Sequence, residues 1–188
     1  ATPPPLPTGR MRGDRVGLVE RHHLRGGYVF DPEAGGDLDA SLSFGVGRTL
    51  MLLAAIEGRV ALAGATNHAA YGTLGLGTRL GGSGWIAVGG GGGWLGGDLV
   101  PAAQTQLMLA PRAVPLALHA RVTGFWADSG DLALGLSRVE SELTLRWPGD
   151  HTFWGRGRHG TGLTLGVRTF DAVDGLSILL GFEAGGFD

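Results

Sequence analysis

The feature that most restricts the fold of this sequence is a strict alternation of apolar and polar residues. In "DLDASLSFGVG", residues 37–47, Leu38 and Phe44 fall on one face of an extended chain, and Asp37 and Asp39 fall on the other, because successive side chains of a strand point to opposite faces. Alternation of period two predicts β-strands. The remaining question is which face meets water.

The same alternation recurs along most of the chain, and short stretches rich in Gly, Pro, Asp or Ser separate the alternating segments. The 37 glycines are spread through the apolar segments, which argues against a helical protein. Residues 131–145 also fit a helical spacing, but a strand with a bulge is favoured there. The further alternating segments are residues 49–63, 70–80, 113–124, 138–147, 160–170 and 175–185.

Length and composition exclude several classes of protein. A chain of 188 residues suits one domain, which we place at residues 14–188 behind a proline-rich tail at residues 1–13. The chain has no cysteine, and a net charge of -2 makes nucleic acid an unexpected partner. The beginning "ATPPPLPTG" is typical of a mature chain after removal of a signal peptide, so export is expected.

The polar row of the alternating segments carries six acidic residues and six arginines, and the sequence contains no lysine. Arginine suits confined ion pairs, because its planar guanidinium can hold a carboxylate through two hydrogen bonds. We therefore predict an ion-pair network inside a lumen. Its members are Asp37, Asp39, Glu57, Arg59, Arg79, Arg121, Arg138, Glu140, Glu142, Arg146, Arg168 and Glu183.

Aromatic residues stand near the ends of the alternating segments. A membrane-spanning strand needs about 9–11 residues, and aromatic side chains gather at both membrane interfaces. This pattern predicts that the Leu and Val rows face lipid and that the aromatic residues mark the interfaces. The predicted interfacial residues are Tyr71, Trp85, Trp94, Phe125, Trp126, Trp147 and Phe170.

On these residues the chain resembles the small bacterial outer-membrane β-barrels, a group that includes the OmpA membrane domain, OmpX and OmpW. The closing segment "DGLSILLGFEAGGF" is similar to the C-terminal strand that such proteins present to their assembly machinery, with Leu180, Phe182 and Phe187 as its apolar positions, although Asp188 follows the last aromatic residue. The resemblance covers residues 14–187. It implies an all-β fold, a closed antiparallel transmembrane barrel with short turns, and a place in the bacterial outer membrane.

The number of strands lies between eight and ten. With the segment between Trp85 and Trp94 included, eight segments begin at Asp37, but a barrel that started there would place the N-terminal segment outside the cell. Residues 15–30 and 104–110 supply two more strands, so ten strands are favoured over eight.

The histidines invite a metal or catalytic interpretation that the sequence does not support. His22 and His23 are adjacent and point to opposite faces of a strand, His119 lies in the inward row, and the other three lie in loops. No stretch matches a known barrel hydrolase. We therefore predict no catalytic, metal-binding or cofactor-binding residue, no cofactor and no enzymatic activity.

A barrel of this size encloses an interior that side chains fill, so a wide aqueous channel is not expected. The predicted function is structural: a membrane anchor, a scaffold or an assembly subunit whose partners are the lipid bilayer and other envelope proteins, contacted through the barrel wall or the N-terminal tail. Three alternatives stay open. They are a barrel enzyme acting on lipid or peptide at the membrane rim, a narrow pore, and a soluble lipocalin-like carrier with its Leu and Val rows inside.

Overall fold

A computed structural model describes residues 18–30, 35–47, 49–62, 68–81, 84–111, 116–126, 136–147, 160–170 and 175–187. The chain forms ten antiparallel strands that close into one barrel, which confirms the all-β barrel and the preferred strand number. Among the described residues, no helix is long and apolar enough to cross a membrane. The strands are β1 (Leu18–Val29), β2 (Gly35–Val46), β3 (Leu50–Ala61), β4 (Ala69–Arg79), β5 (Gly84–Leu95), β6 (Asp98–Leu109), β7 (Ala117–Phe125), β8 (Arg138–Trp147), β9 (Gly160–Phe170) and β10 (Gly175–Phe187).

The barrel closes because each strand pairs with the next and β10 pairs with β1. Across the closing pair, Val19 of β1 lies opposite Phe187 of β10. When the paired residues are followed from Val19 through β2 and each later strand in turn, they lead to Gly175 of β10 instead. The separation between Phe187 and Gly175 along β10 is the stagger of the barrel. With a rise of about 3.3 Å per residue and about 4.8 Å between strands, this stagger tilts the strands by about 40° and gives a backbone radius of about 10 Å. Side chains are long enough to fill such an interior.

The even number of strands brings both ends of the barrel-forming chain to one side. We call the end of the barrel that holds Val19 and Phe187 the terminal end. The opposite end, which holds the tight turn at Gly96 and Gly97, is the distal end. The proline-rich segment, residues 1–13, lies outside the described residues.

The outer face of the barrel is apolar. Of the residues that the structure describes, thirty large hydrophobic side chains are exposed, among them Leu52, Leu74, Leu165 and Phe182. At the outward strand positions whose side chains are described there is no Asp, Glu or Arg, and the ionisable residues are His22 and Tyr28. Where the side chain is described, the Asp, Glu and Arg residues of the strands lie on the inner face instead.

Two apolar clusters line the interior on either side of a charged middle layer. The first cluster lies toward the terminal end and consists of Val19, Met51, Leu53, Trp85, Ala87, Met108, Ala110 and Ala117. The second lies toward the distal end and consists of Ala69, Tyr71, Val100, Ala102 and Phe125, with Leu95 packed against it.

Glycines allow the backbones of β4 and β5 to approach each other closely. A Cβ atom on Gly75 would collide with the carbonyl oxygen of Val88, and one on Gly91 would collide with that of Gly72. Glycine in a strand is typical of such close approaches and of tight bends in a barrel wall. A side chain at Gly75 or Gly91 would therefore fit only if the backbone of the neighbouring strand shifted.

The bulge predicted within residues 131–145 is wrong for the part of that segment that the structure describes. β8 begins at Arg138, and its pairing with β7 runs without interruption from Arg138 opposite Phe125 to Arg146 opposite Ala117. The change of phase near Leu136 has a simpler cause, since Leu136 precedes the strand. Residues 131–135 lie outside the described residues.

Candidate functional site in the barrel lumen

The structure places all twelve residues of the predicted ion-pair network on the inner face of the barrel. Arg79 and Arg138 are partly exposed near the two ends, and the other ten are buried. Ionised groups are stable in such confinement only when their charges are paired and hydrogen-bonded. The geometry of the pairs therefore determines what the lumen can do.

Glu142 is the centre of the network. Its carboxylate accepts hydrogen bonds from Arg25 Nη1 at 2.8 Å, Arg121 Nη2 at 2.6 Å and Arg168 Nη2 at 3.1 Å. Arg121 also pairs with Glu57. The three arginines come from β1, β7 and β9, so a single carboxylate on β8 connects four strands.

Asp39 on β2 extends the network across the lumen. Its carboxylate accepts from Arg25 Nε at 3.1 Å and also pairs with Arg168. His23 lies beside this pair, with its Nε2 atom 2.9 Å from Arg25 Nη2 and its Nδ1 atom 2.8 Å from Ser41 Oγ. Asp39 Oδ1 also lies 3.1 Å from Nε2 of His23. A guanidinium can only donate and a carboxylate can only accept, so these contacts fit either tautomer of the ring.

Ser41, His23 and Asp39 converge as the members of a Ser-His-Asp triad do, since His23 lies within hydrogen-bond distance of both other side chains. Asp39 also pairs with the guanidinium groups of Arg25 and Arg168. Its carboxylate therefore belongs to the ion-pair network, and we assign the three residues no catalytic role.

A second ion-pair group lies toward the distal end. Arg59 donates two hydrogen bonds to Glu140, at 3.0 and 2.6 Å, and Arg138 Nε lies 3.1 Å from the same carboxylate. The guanidinium carbon atoms of Arg138 and Arg59 lie 4.4 and 5.3 Å from the centre of the Phe170 ring. The ring adds a cation–π contact to the charged group.

Four of the seven aromatic residues predicted at membrane interfaces point into the lumen, so that prediction is wrong for them. They are Tyr71, Trp85, Phe125 and Phe170. The face of a strand is set by odd or even position, whereas the prediction used the distance from the strand end. Trp94 and Trp147 lie on the outer face, 59% and 62% exposed, and Trp126 is half-buried after the end of β7.

The sequence interpretation missed three central residues of the lumen. Arg21, His23 and Arg25 on β1 are buried on the inner face. A signal for them was present, because they alternate with His22 and Leu24, both of which point outward. The same odd–even rule applied to residues 15–30 would have placed them inside.

Within the part of the chain that the structure describes, one arrangement of carboxylates in the lumen is compact enough for a metal ion. One oxygen each of Asp39, Glu57 and Glu142 lies within 4.8 Å of the others. All three carboxylates already pair with guanidinium groups, those of Arg121 and Arg168. A metal ion would have to displace these buried cations, so the residues do not fit a metal site.

Comparison with solved structures places the fold. The KdgM porin superimposes with a TM-score of 0.51 over 89% of this chain and 98% of its own, at 6% sequence identity. This chain shares its fold with the KdgM porin. A second structure, the KdgM porin in complex with disordered oligogalacturonate, matches with a TM-score of 0.50, the same identity and the same coverage.

At 6% identity the likeness to the KdgM porin concerns the fold alone. No protein-family model matches the sequence, and no curated protein matches it. The likeness to the KdgM porin supports the fold of a small β-barrel in general. The narrower resemblance to the OmpA, OmpX and OmpW group stays a prediction.

Proposed function

We propose that this chain is a bacterial outer-membrane β-barrel with a structural role, as an anchor or assembly subunit, and that its lumen is closed by the ion-pair network. The observation that carries the proposal is the inversion of its faces: thirty large hydrophobic side chains of the described residues are exposed outside, while arginines and carboxylates are buried inside. Soluble monomers rarely expose apolar patches beyond a few hundred Å². In a bilayer these side chains would face hydrocarbon, so the free-energy cost of exposing them to water would be absent.

The dimensions of the strands suit a bilayer. The strands have between 9 and 13 residues, and a tilted strand crosses the hydrocarbon core with about 9–11. In such barrels both termini lie in the periplasm, so we assign the terminal end to the periplasmic side. The lipocalin-like carrier is wrong, because that alternative requires the Leu and Val rows to line the interior and the structure places them outside.

The lumen is closed by side chains that reach from one part of the wall to another. Arg25 on β1 bonds to Glu142 on β8, and Arg59 on β3 bonds to Glu140 on β8. With a backbone radius of about 10 Å, pairs of this kind fill the cross-section. Wide diffusion of solutes through the barrel is therefore not expected.

Membrane extraction and conductance test the proposal together. The native protein should require detergent for extraction, should migrate differently on gels before and after heating, and should insert into planar bilayers without the large steady currents of a sixteen-stranded porin measured beside it. A protein that stays soluble without detergent, with no change of mobility on heating, would refute the membrane assignment.

A narrow pore is the second candidate, and the likeness to the KdgM porin favours it. The same bilayer recordings separate the two functions. Small, stable unit currents from the wild type would support the pore. A silent wild type that conducts only after Glu142→Gln would support a closed lumen, since that substitution weakens the central ion pairs.

The N-terminal tail is proposed as the contact with other envelope proteins. Residues 1–13 contain four of the nine prolines of the chain, at positions 3, 4, 5 and 7, so the composition of this segment is that of an extended tether. Deleting residues 1–13 should leave the barrel intact on heat-shift gels and should remove copurifying envelope proteins. Recovery of every such protein with the shortened chain would contradict this role.

A further inference from the structure

His119 is a buried histidine whose ring makes no hydrogen bond to the described part of the chain. It lies on the inner face of β7 and is 2% exposed, and both of its ring nitrogens lack a hydrogen-bond partner among the described residues. Buried polar groups in native proteins are nearly always satisfied by protein, water or a bound group. The ring of His119 therefore offers an unused nitrogen atom inside the barrel.

Strand register places a methionine and a tryptophan in line with this histidine. Met108 on β6 lies directly opposite His119, and Trp85 on β5 lies directly opposite Met108. Both side chains are fully buried on the inner face. Directly opposite residues of an antiparallel pair have Cβ atoms about 4.5–5.5 Å apart. Trp85, Met108 and His119 therefore form one continuous row across three strands, which we call the Met108 row.

The neighbour of His119 on its other side belongs to the ion-pair network. Thr144 on β8 lies directly opposite His119. The Thr144 hydroxyl accepts a hydrogen bond from Arg25 Nη1 at 2.9 Å and donates one to Glu142 Oε1 at 3.2 Å. On the side of the Met108 row, the nearest atom with lone pairs is a thioether sulfur, which is only a weak hydrogen-bond acceptor. An imidazole nitrogen and a thioether sulfur are, however, both metal ligands.

We propose that Met108 and His119 bind a soft monovalent metal ion of the Cu(I) class, with the ring of Trp85 beside it. Thioether sulfur selects Cu(I) over harder ions, and imidazole suits copper. Both ligands are neutral, so a monovalent ion brings the least charge into the interior. The indole ring adds a cation–π attraction. His119 has no guanidinium partner to release, in contrast to the carboxylates of Asp39, Glu57 and Glu142.

Titration of the refolded barrel with silver(I) in chloride-free buffer tests the site, because silver(I) is a soft monovalent ion that keeps its oxidation state. The wild type should show one saturable site per chain, from which an equal concentration of zinc(II) should not displace silver(I). Met108→Leu conserves side-chain volume and should weaken silver(I) binding roughly tenfold or more, since the loss of an outer-shell group alone costs about 10–100-fold.

Met51→Leu is the matched control. Met51 is as fully buried as Met108 and belongs to the same apolar cluster, but it lies on β3, outside the Met108 row. This variant should bind silver(I) as the wild type does. No saturable silver(I) site, displacement of silver(I) by zinc(II), or equal affinity in the wild type and Met108→Leu would overturn the proposal.

The fluorescence of Trp85 gives an independent measurement. In a variant that keeps Trp85 as its single tryptophan, the emission should change at the silver(I) concentration that fills the site, and a variant that keeps Trp94 on the outer face should show no change. Unchanged Trp85 emission at saturation would place the ion elsewhere and refute the site. A heat-shift gel on each sample keeps this proposal separate from the proposed function: a folded barrel that inserts into bilayers but ignores silver(I) refutes the metal site alone.

Discussion

Substituting Glu142 by glutamine tests whether the central network stabilises the barrel. Glu142 is 4% exposed and accepts hydrogen bonds from Arg25, Arg121 and Arg168. Glutamine keeps the shape of the side chain but leaves three buried guanidinium groups without their shared charge. Removing one partner of a buried ion pair costs about 3–5 kcal/mol, which is a large part of the 5–15 kcal/mol that typically separates folded and unfolded domains.

The assay is urea unfolding of the barrel in lipid vesicles, followed by tryptophan fluorescence and by the heat-shift gel. The free energy of unfolding of Glu142→Gln should fall by about 3–5 kcal/mol, with little change in its dependence on urea concentration. Asp98→Asn makes the same chemical replacement at an exposed position at the start of β6 and should stay within about 0.5 kcal/mol of the wild type. A Glu142→Gln barrel as stable as the control would refute the stabilising role of the network.

Three further predictions concern the wall. Gly91→Ala should prevent formation of the heat-resistant barrel on gels, because the added Cβ would collide with the carbonyl oxygen of Gly72. Gly58→Ala is the control and should fold normally, since nothing lies within 4 Å of its added Cβ. Equal folding of the two variants would contradict the close approach of β4 and β5. Leu165→Arg in the middle of β9 should lower the free energy of unfolding in vesicles by about 2–4 kcal/mol, and Leu80→Arg near the terminal end by about 0–1 kcal/mol; equal losses would argue against a membrane around the wall. In variants that keep one tryptophan, brominated lipid should quench Trp94 and Trp147 but spare Trp85, and strong quenching of Trp85 would place it outside.

The fold could be predicted from sequence because one physical rule acts in every strand. A closed barrel has only two faces, and alternation assigns each residue to one of them. Charged residues such as Asp39 and Arg168 were assigned correctly to the inner face because they have no tolerable place on an apolar wall. Alternation therefore predicted the face most reliably for charged residues, because a charged side chain on the apolar outer face would cost the most free energy.

The aromatic residues show where this reasoning fails. An aromatic ring is stable both in lipid and in a packed interior, so its chemistry does not choose a face. Tyr71 packs edge-on against Phe125 inside the distal end, with ring centres 5.2 Å apart, and Trp85 fills the interior near Met51. Only the odd or even position of each residue distinguishes these cases from Trp94.

The partners of each arginine could not be predicted, because they depend on the stagger of the whole barrel. Arg25 and Glu142 are separated by 117 residues in the chain and still bond at 2.8 Å. No local pattern encodes such a pair. The Arg25–Glu142 pair depends on the registers of all ten strand pairs of the barrel taken together.

The pairing of the first strand with the last has a consequence for biogenesis. β1 finds its second neighbour only when β10 has been made, and the Arg21–Glu183 bond joins residues 162 positions apart. Until then the sheet has two open edges and Arg21 lacks its carboxylate. The final strand therefore delivers backbone partners and a counter-charge in one step, so a chain truncated before β10 should be recognised by cellular quality control as an unfinished product.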